Sequence, residues 1–242
     1  MNRGVIYICH GEKYIKEGLI SAESVKKFCP DLQITFFCDQ EINSEFVDNT
    51  IPITPTCQRS KVDYIYESPY EETLFLDIDV IVDYPIDDMF EILKRFELGI
   101  CHDLARKRLK YSKVMPEYSD IPYAFPEVNT GVIVFKKSQN TEKLFSLWKH
   151  YHKKYRRSCP WDQPSFRISL WNSDVRYSVM PIEYNIRSTS NRKKQDRFHT
   201  EFGAEHLTPR MYHMHHNCDN LNDALVRCKN DAQKTCDPRI LL

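Results

Sequence analysis

Residues 73–83 read Thr-Leu-Phe-Leu-Asp-Ile-Asp-Val-Ile-Val-Asp (TLFLDIDVIVD), an apolar run interrupted by Asp77 and Asp79. The run predicts a strand over Leu74–Val82. An extended chain sends residues i and i+2 to one side, so both acids project together while Ile78 points away. Burying an ionised carboxylate without a partner costs far more than its apolar neighbours return. The pair therefore calls for a counter-charge: backbone amides, an arginine, or a divalent cation. At the C-terminal edge of a parallel sheet the pair overhangs the crevice where ligands of such folds bind. Two hard oxygen ligands suit Mg²⁺ or Mn²⁺, which complete their shell with water and phosphate oxygens.

Outward from this stretch the pattern alternates between two periods. Val5–Cys9 is a continuous apolar run, as in a strand covered on both faces. Ile15, Leu19, Ala22, Val25 and Phe28 have helical spacing, and Pro30 ends that helix. Ile34–Cys38 reads as strand, 50–54 weakly so, and Ser60-Lys-Val-Asp63 as a capping box opening a short helix. A helix over Asp87–Phe96 and a strand over Leu98–His102 follow. Residues 103–126 form a long polar and aromatic connection with some helix, and one of that length is more often functional than idle. Gly131–Phe135 is a strand, Thr141–Tyr155 a helix, and Pro164 suits the first turn of a helix reaching Trp171. Short strands are expected over 176–216, then a polar tail over 217–242. The order predicts one α/β domain over 1–242 with a Rossmann-like, mostly parallel mixed sheet flanked by helices.

Composition excludes several function classes. Thirty-four basic residues balance 34 acidic ones, so no net field recruits nucleic acid or an acidic membrane. The clusters at 153–157 and 192–194 read as solvated surface. Nine cysteines are scattered without a Cys-x-x-Cys pair, which argues for a reducing compartment. There is no signal-peptide pattern and no apolar run near the roughly 18 residues a membrane span needs. A cytoplasmic protein without an integral membrane segment is expected.

Several further pieces, in order, resemble the GT-A fold glycosyltransferases, especially the glycogenin-like transferases that use nucleotide-diphospho-sugars. They are the opening strand ending at Cys9-His10-Gly11, Lys61, Tyr70 through Leu76-Asp77-Ile78-Asp79, Asn129-Thr-Gly-Val132, Asp162-Gln163, and Met211-Tyr-His-Met-His-His216. Together they span about residues 4–216. The resemblance implies that Asp77, Asp79 and His213 bind Mn²⁺ or Mg²⁺ and that Cys9, His10 and Gly11 lie along the base. It implies that Lys61 meets the nucleotide or its phosphates, that Ile78 lines the donor site, and that Asn129 meets the transferred sugar or acceptor. Asp162 and Gln163 would grip donor-sugar hydroxyls, with Asp162 and Asn129 nearest the chemistry. Residues 1–102 would form the nucleotide-sugar half, and 103–216 the acceptor half with the returning metal ligand. The implied reaction is transfer of a hexose-type sugar, favouring a UDP-sugar donor, to a hydroxyl of a saccharide or glycoprotein, with retention. No Lys-Pro-Trp follows the histidine strand, so Arg187, Arg192, Lys193 and Lys194 are the candidates for the leaving diphosphate.

Three rivals are set against this. His213, His215, His216 and Cys218, with Cys228 and Cys236, have ligand types that suit zinc but none of its usual spacings. A haloacid-dehalogenase-type phosphatase also carries Asp-x-Asp after a strand, with the first Asp as nucleophile. That motif sits near the N-terminus, and none of the six glycines here is followed by Asp. A non-catalytic sugar-nucleotide-binding module is the third. Trp148, Trp161 and Trp171 are expected to pack rather than to serve as sugar platforms.

Overall fold

Hydrophobic alternation sorts the central strands between two layers. The computed structural model describes residues 2–103, 107–187 and 209–234. Its elements are β1 (Arg3–Ile8), α1 (Glu12–Phe28), β2 (Gln33–Cys38), β3 (Asn49–Pro52), α2 (Lys61–Tyr64), β4 (Glu72–Leu76), β5 (Val80–Val82), α3 (Asp88–Glu91) and β6 (Leu98–His102). There follow α4 (Leu109–Ser112), α5 (Pro116–Asp120), β7 (Val128–Lys136), α6 (Gln139–Tyr155), α7 (Gln163–Trp171), β8 (Tyr177–Met180), β9 (Met211–His213) and a last helix, Leu221–Lys234. A seven-stranded sheet runs β3-β2-β1-β4-β7-β6-β8, and β5 pairs with β9 in a separate ribbon. The main sheet is parallel except for β7, which is antiparallel to both β4 and β6.

On one face Val5, Tyr7, Ile34, Phe36, Leu74 and Leu76 pack with Ile15, Ala22 and Val25 of α1 and Met89 and Phe90 of α3. On the other, Ile6, Phe37, Phe75, Ile133 and Phe135 meet Leu144, Phe145 and Trp148 of α6 and Phe166 and Leu170 of α7. Each large apolar side chain buried this way contributes about 1.5–3 kcal/mol. Trp148 also donates its indole N–H to the Asp162 carbonyl at 2.9 Å, tying α6 to the start of α7. Ser138 caps α6 in a reciprocal capping box with Thr141.

The expected strand over Leu74–Val82 is two strands. The chain leaves the main sheet after Leu76, turns through Asp77-Ile78-Asp79 with Val80 N–H donating to the Asp77 carbonyl at 3.1 Å, and enters the ribbon as β5. The buried serines of α1 explain how the ribbon docks: Ser21 Oγ donates to the Val80 carbonyl, and Val82 N–H donates to Ser24 Oγ at 2.9 Å. Buried backbone groups need such partners. The acids thus lie on a turn, although Ile78 still points away from them, packing beside Gly18 and Phe36.

Two further expectations are corrected. Ser60 does not cap α2 with its side chain; its hydroxyl donates back to the Cys57 carbonyl at 2.8 Å. The segment read as a polar tail contains an amphipathic helix, whose Leu221, Ala224, Leu225 and Cys228 bury against Ile20, Ile81 and Tyr212. Its apolar positions recur at helical spacing but are diluted by exposed polar residues. Cys9, Cys29, Cys38, Cys57, Cys101, Cys159 and Cys218 are free thiols. No helix among the described residues is long and apolar enough to cross a membrane.

Candidate active site

The ribbon decides where the site forms. Its register sets Val80 opposite His213, so the residue after Asp79 is locked beside the end of β9. Asp77, Asp79 and His213 each offer a ligand atom, all within 4.8 Å of one another. His213 Nε2 lies 3.3 Å from Asp79 Oδ1 and 3.6 Å from Asp77 Oδ2. His215 approaches Asp79 from its other oxygen, at 3.5 Å, but its side chain is mostly exposed and its Nδ1 also lies 3.3 Å from Glu17 Oε1. Burial would raise the Asp79 carboxyl, yet the facing His213 and His215 outweigh it and hold it well below the usual range. Two carboxylates and one imidazole fit an Mn²⁺-type ion, whose remaining positions would be open to water and phosphate. Gly131 makes room for the group: a Cβ there would lie 2.8 Å from Asp77 Oδ2 and closer still to His213. Among the described residues, the cysteines and His216 join no such cluster; Cys236 lies outside them.

Beside this corner sits a buried ion cluster. Lys61 Nζ donates to Asp77 Oδ1 at 2.9 Å and to the Thr130 carbonyl at 3.1 Å, and lies 3.2 Å from Asp162 Oδ2. Burial alone would lower the Lys61 ammonium, but Asp162 and Asp77 outweigh it and the pKa is raised. Asp162 is also buried; against that desolvation, Lys61 and Arg59 and the Thr130 hydroxyl, donating at 2.7 Å, bring its carboxyl down to about 2. Lys61 therefore joins the metal corner to the start of α7.

A bulge aims the next group. The β6–β7 register shifts between Ile100, opposite Ile133, and Cys101, opposite Asn129, so Thr130, Gly131 and Val132 drop out of that ladder, and Asn129, Thr130 and Gly131 line the cavity. Asn129 Oδ1 accepts from Gly131 N–H at 3.0 Å and from Asn185 Nδ2 at 2.9 Å. Its Nδ2 faces Gln163 Oε1 at 3.3 Å and Asp103 Oδ2 at 3.5 Å. Gln163 Nε2 donates to Glu127 Oε1 at 2.8 Å, and Tyr118 OH donates to Glu127 Oε2 at 2.5 Å. Burial raises the Glu127 carboxyl.

Asp77, Asp79, His213, Lys61, Asp162, Asn129 and Gln163 line one open cavity of about 470 Å³, while Glu127, Tyr118 and Asn185 are not part of its lining. Cys9, His10 and Tyr14 border one side of it. Gly11, at φ +83°, makes the turn into α1 in a conformation that favours glycine, and its N–H lies 3.1 Å from Asp39 Oδ1. Gly11 itself is outside the lining, and burial pushes the Cys9 thiol far up, so that thiol packs rather than reacts. On the opposite side stand Arg108, Lys110, Tyr111 and Trp161. Trp161 is 45% exposed, its ring 5.9 Å from that of Tyr111 and 4.2 Å from Lys110 Nζ. Of the three tryptophans, Trp148 packs in the core as expected; Trp171, 48% exposed, rests edge-on against Phe125 outside the cavity, and Trp161 lines it. Arg187 lies 3.4 Å from Asp103 Oδ2 at the same rim. Arg192, Lys193 and Lys194 lie outside the described residues.

All the sequence-derived site residues except Gly11 meet in this cavity. Asp103, Glu127, Asn185, Arg59 and Trp161 were not among them. Asp103 and Glu127 close the long connection through Asp103 N–H donating to the Glu127 carbonyl at 3.0 Å, a pairing that no local pattern announces.

A seven-stranded mixed sheet flanked by helices in this way has known counterparts. The galactosyltransferase LgtC, solved in complex with donor and acceptor sugar analogues, superposes with a TM-score of 0.65 at 14% identity, over 95% of this chain and 95% of that one. The fold is that of the GT-A glycosyltransferases. Mouse xyloside xylosyltransferase 1 shares the GT-A fold with a TM-score of 0.58 at 14% identity, over 90% of this chain and 99% of the other. GlyE of Streptococcus pneumoniae gives 0.56 at 18% identity, over 87% of this chain and 54% of that one. No family model and no curated sequence matches the chain.

Proposed function

We propose that the protein transfers a hexose-type sugar from a nucleoside diphosphate donor, by preference a UDP-sugar, to a hydroxyl of a saccharide or glycoprotein. The observation that carries this reading is the convergence of Asp77, Asp79 and His213 at the mouth of the cavity of a GT-A fold. A divalent ion, Mn²⁺ or Mg²⁺, bound there would neutralise charge developing on the diphosphate as the anomeric C–O bond breaks. The residues around it divide the remaining work. Cys9 and His10 border the space for the nucleoside. Lys61 spans Asp77 and Asp162 and keeps both in place, with its donors already engaged. Asn129, whose amide is engaged on both ends, holds the donor pocket's wall and positions Gln163.

Asp162 bears on stereochemistry. A general base works best with a pKa near the operating pH. A carboxylate held at about 2 by Lys61 and Arg59 is a weak proton acceptor at neutrality. This favours retention, with the acceptor's proton passing to the leaving phosphate oxygen, and leaves Asp162 to hydrogen-bond donor hydroxyls and to stabilise positive charge on the sugar. The phosphatase and non-catalytic readings gain nothing from the structural neighbours, which are sugar transferases.

The test is a panel of sugar nucleotides with Mn²⁺, read first by thermal shift and then by release of the nucleoside diphosphate. A ligand of the native state raises the melting temperature by mass action. Stabilisation by one UDP-sugar that vanishes with a chelator is expected; no stabilisation by any of them overturns the donor assignment. The anomeric configuration of the product, read by NMR, decides retention.

A further inference from the structure

We propose that Asn185 is a positioning residue that locks the His213 imidazole with its proton on Nδ1, leaving the Nε2 lone pair aimed between Asp77 and Asp79. The argument starts from a group whose direction cannot be reversed. Gly131 N–H is a backbone amide and only donates, so the Asn129 atom 3.0 Å from it is the carbonyl oxygen. The Asn185 atom 2.9 Å from that same oxygen must then be its amide nitrogen. The other end of the Asn185 amide, its oxygen, faces His213 Nδ1 at 2.8 Å, and an oxygen there requires a proton on the imidazole nitrogen. The far end agrees. Asn129 Nδ2 donates toward Gln163 Oε1 and the Asp103 carboxylate, and Gln163 Nε2 donates to Glu127. Donors thus run head to tail from His213 to Glu127, with no step that sets two acceptors or two donors together.

The lock is built into the backbone as well. His213 N–H donates to the Ile186 carbonyl at 2.9 Å, and Ile186 N–H to the Met211 carbonyl at 3.0 Å, so the residue next to Asn185 is stitched to β9. Asn185 is buried, at 4% exposure, and His213 at 5%. Asn185 is absent from the cavity lining, so its contact with Nδ1 lies behind the face that His213 turns to the cavity. A metal-ligating histidine depends on such an outer partner to fix ring and tautomer, and loss of the partner typically lowers metal affinity about 10- to 100-fold.

The proposal rests on the reading of Asp77, Asp79 and His213 as a metal site, and the test separates the two. Asn185→Leu keeps the volume and removes the acceptor; Asn185→Asp restores an oxygen opposite Nδ1. Mn²⁺ affinity is measured on the full chain by EPR of the free ion, without substrate. In parallel, histidine-labelled metal-free protein is examined by long-range ¹H–¹⁵N NMR at alkaline pH, where imidazoles are neutral. The expected result is Nδ1–H for His213 in the wild type, a mixture of tautomers in Asn185→Leu with Mn²⁺ affinity about 10- to 100-fold lower, and recovery of both readouts in Asn185→Asp. Equal Mn²⁺ binding in all three proteins overturns the proposal, as does an equal loss in both variants, which would mark a merely structural role. An Nε2–H signal in the wild type also overturns it. If the wild type binds no Mn²⁺ while its NMR shows Nδ1–H that Asn185→Leu scrambles, the metal reading fails and the lock stands.

Discussion

The two sides of the cavity are built on opposite plans. On the inner side Lys61, Asp162, Asn129, Asn185 and His213 are buried around a partly buried Asp77, and their polar groups answer one another at hydrogen-bond distance. On the outer side the exposed Trp161, Lys110 and Arg59 surround a buried Tyr111 and meet their neighbours through ring faces and a long ion pair of 3.5 Å. The inner side resembles a preorganised electrostatic frame, in which any single change leaves a buried group unmatched. The outer side can change partners at low cost, which suits the half that meets a variable acceptor. The difference predicts steep losses inside and shallow ones outside.

The largest effect is expected at the acids. Asp79→Ala, and Asp77→Ala after it, should lower metal-dependent transfer at least about 1000-fold, with the fold intact by circular dichroism. Variants that keep full Mn²⁺-dependent turnover would break the contrast at its strongest point. Next stands Gly131→Ala, whose added Cβ would press on Asp77 and His213. It should cost about 1–3 kcal/mol of stability in a denaturant titration and weaken Mn²⁺ binding more than it lowers the melting temperature.

Acid sensitivity gives a third measure. The Asp162 carboxyl is depressed in the folded protein, from its ordinary 3.8 to about 2, so the unfolded chain takes up the proton first. Its contribution, about 2 kcal/mol, is present above pH 4 and lost as pH falls from about 4 toward 2. Asp162→Asn should flatten that acid limb in melts between pH 5 and pH 2; an unchanged limb would show that Lys61 does not hold the carboxyl down. On the outer side, Trp161→Ala should raise the acceptor KM about 3- to 10-fold, as expected for loss of one stacking partner, with donor hydrolysis unchanged. Lys110→Ala, removing a cation from an exposed ring, should shift the same constant only about 2- to 5-fold. A larger effect at Lys110 than at Gly131 would invert the comparison.

Much of the inner side was legible in the sequence, because its residues sit at strand ends and in short motifs. The alternation of strands and helices was enough to put Asp77 and Asp79 at a sheet edge, while the resemblance to the GT-A transferases singled out Asn129, Asp162-Gln163 and His213. What could not be read is the chain path between Leu76 and Val80: an apolar run looks the same whether it stays in one sheet or crosses into a second. The partners of the motifs were hidden for a related reason. Asn185 and Glu127 gain their roles from contacts with Asn129, Gln163 and His213, far off in sequence, and an isolated Asn or Glu in a loop carries no periodic signal. The exposure of Trp161 and Trp171 could not be read beside the buried Trp148, because composition does not distinguish an aromatic that faces solvent.

The β5–β9 ribbon carries a temporal consequence. Because Val80 pairs with His213 and Val82 with Met211, the carboxylate turn stays open on one side until the last part of the chain has been made. Contacts that close such long loops form late, after the entropy of bringing distant segments together has been met. The growing polypeptide would fold its main sheet, with two acids and a lysine in place, well before it could hold an ion. Closure of the carboxylate turn is thus a late event, a sign that the main sheet has already folded rather than a guide to its folding.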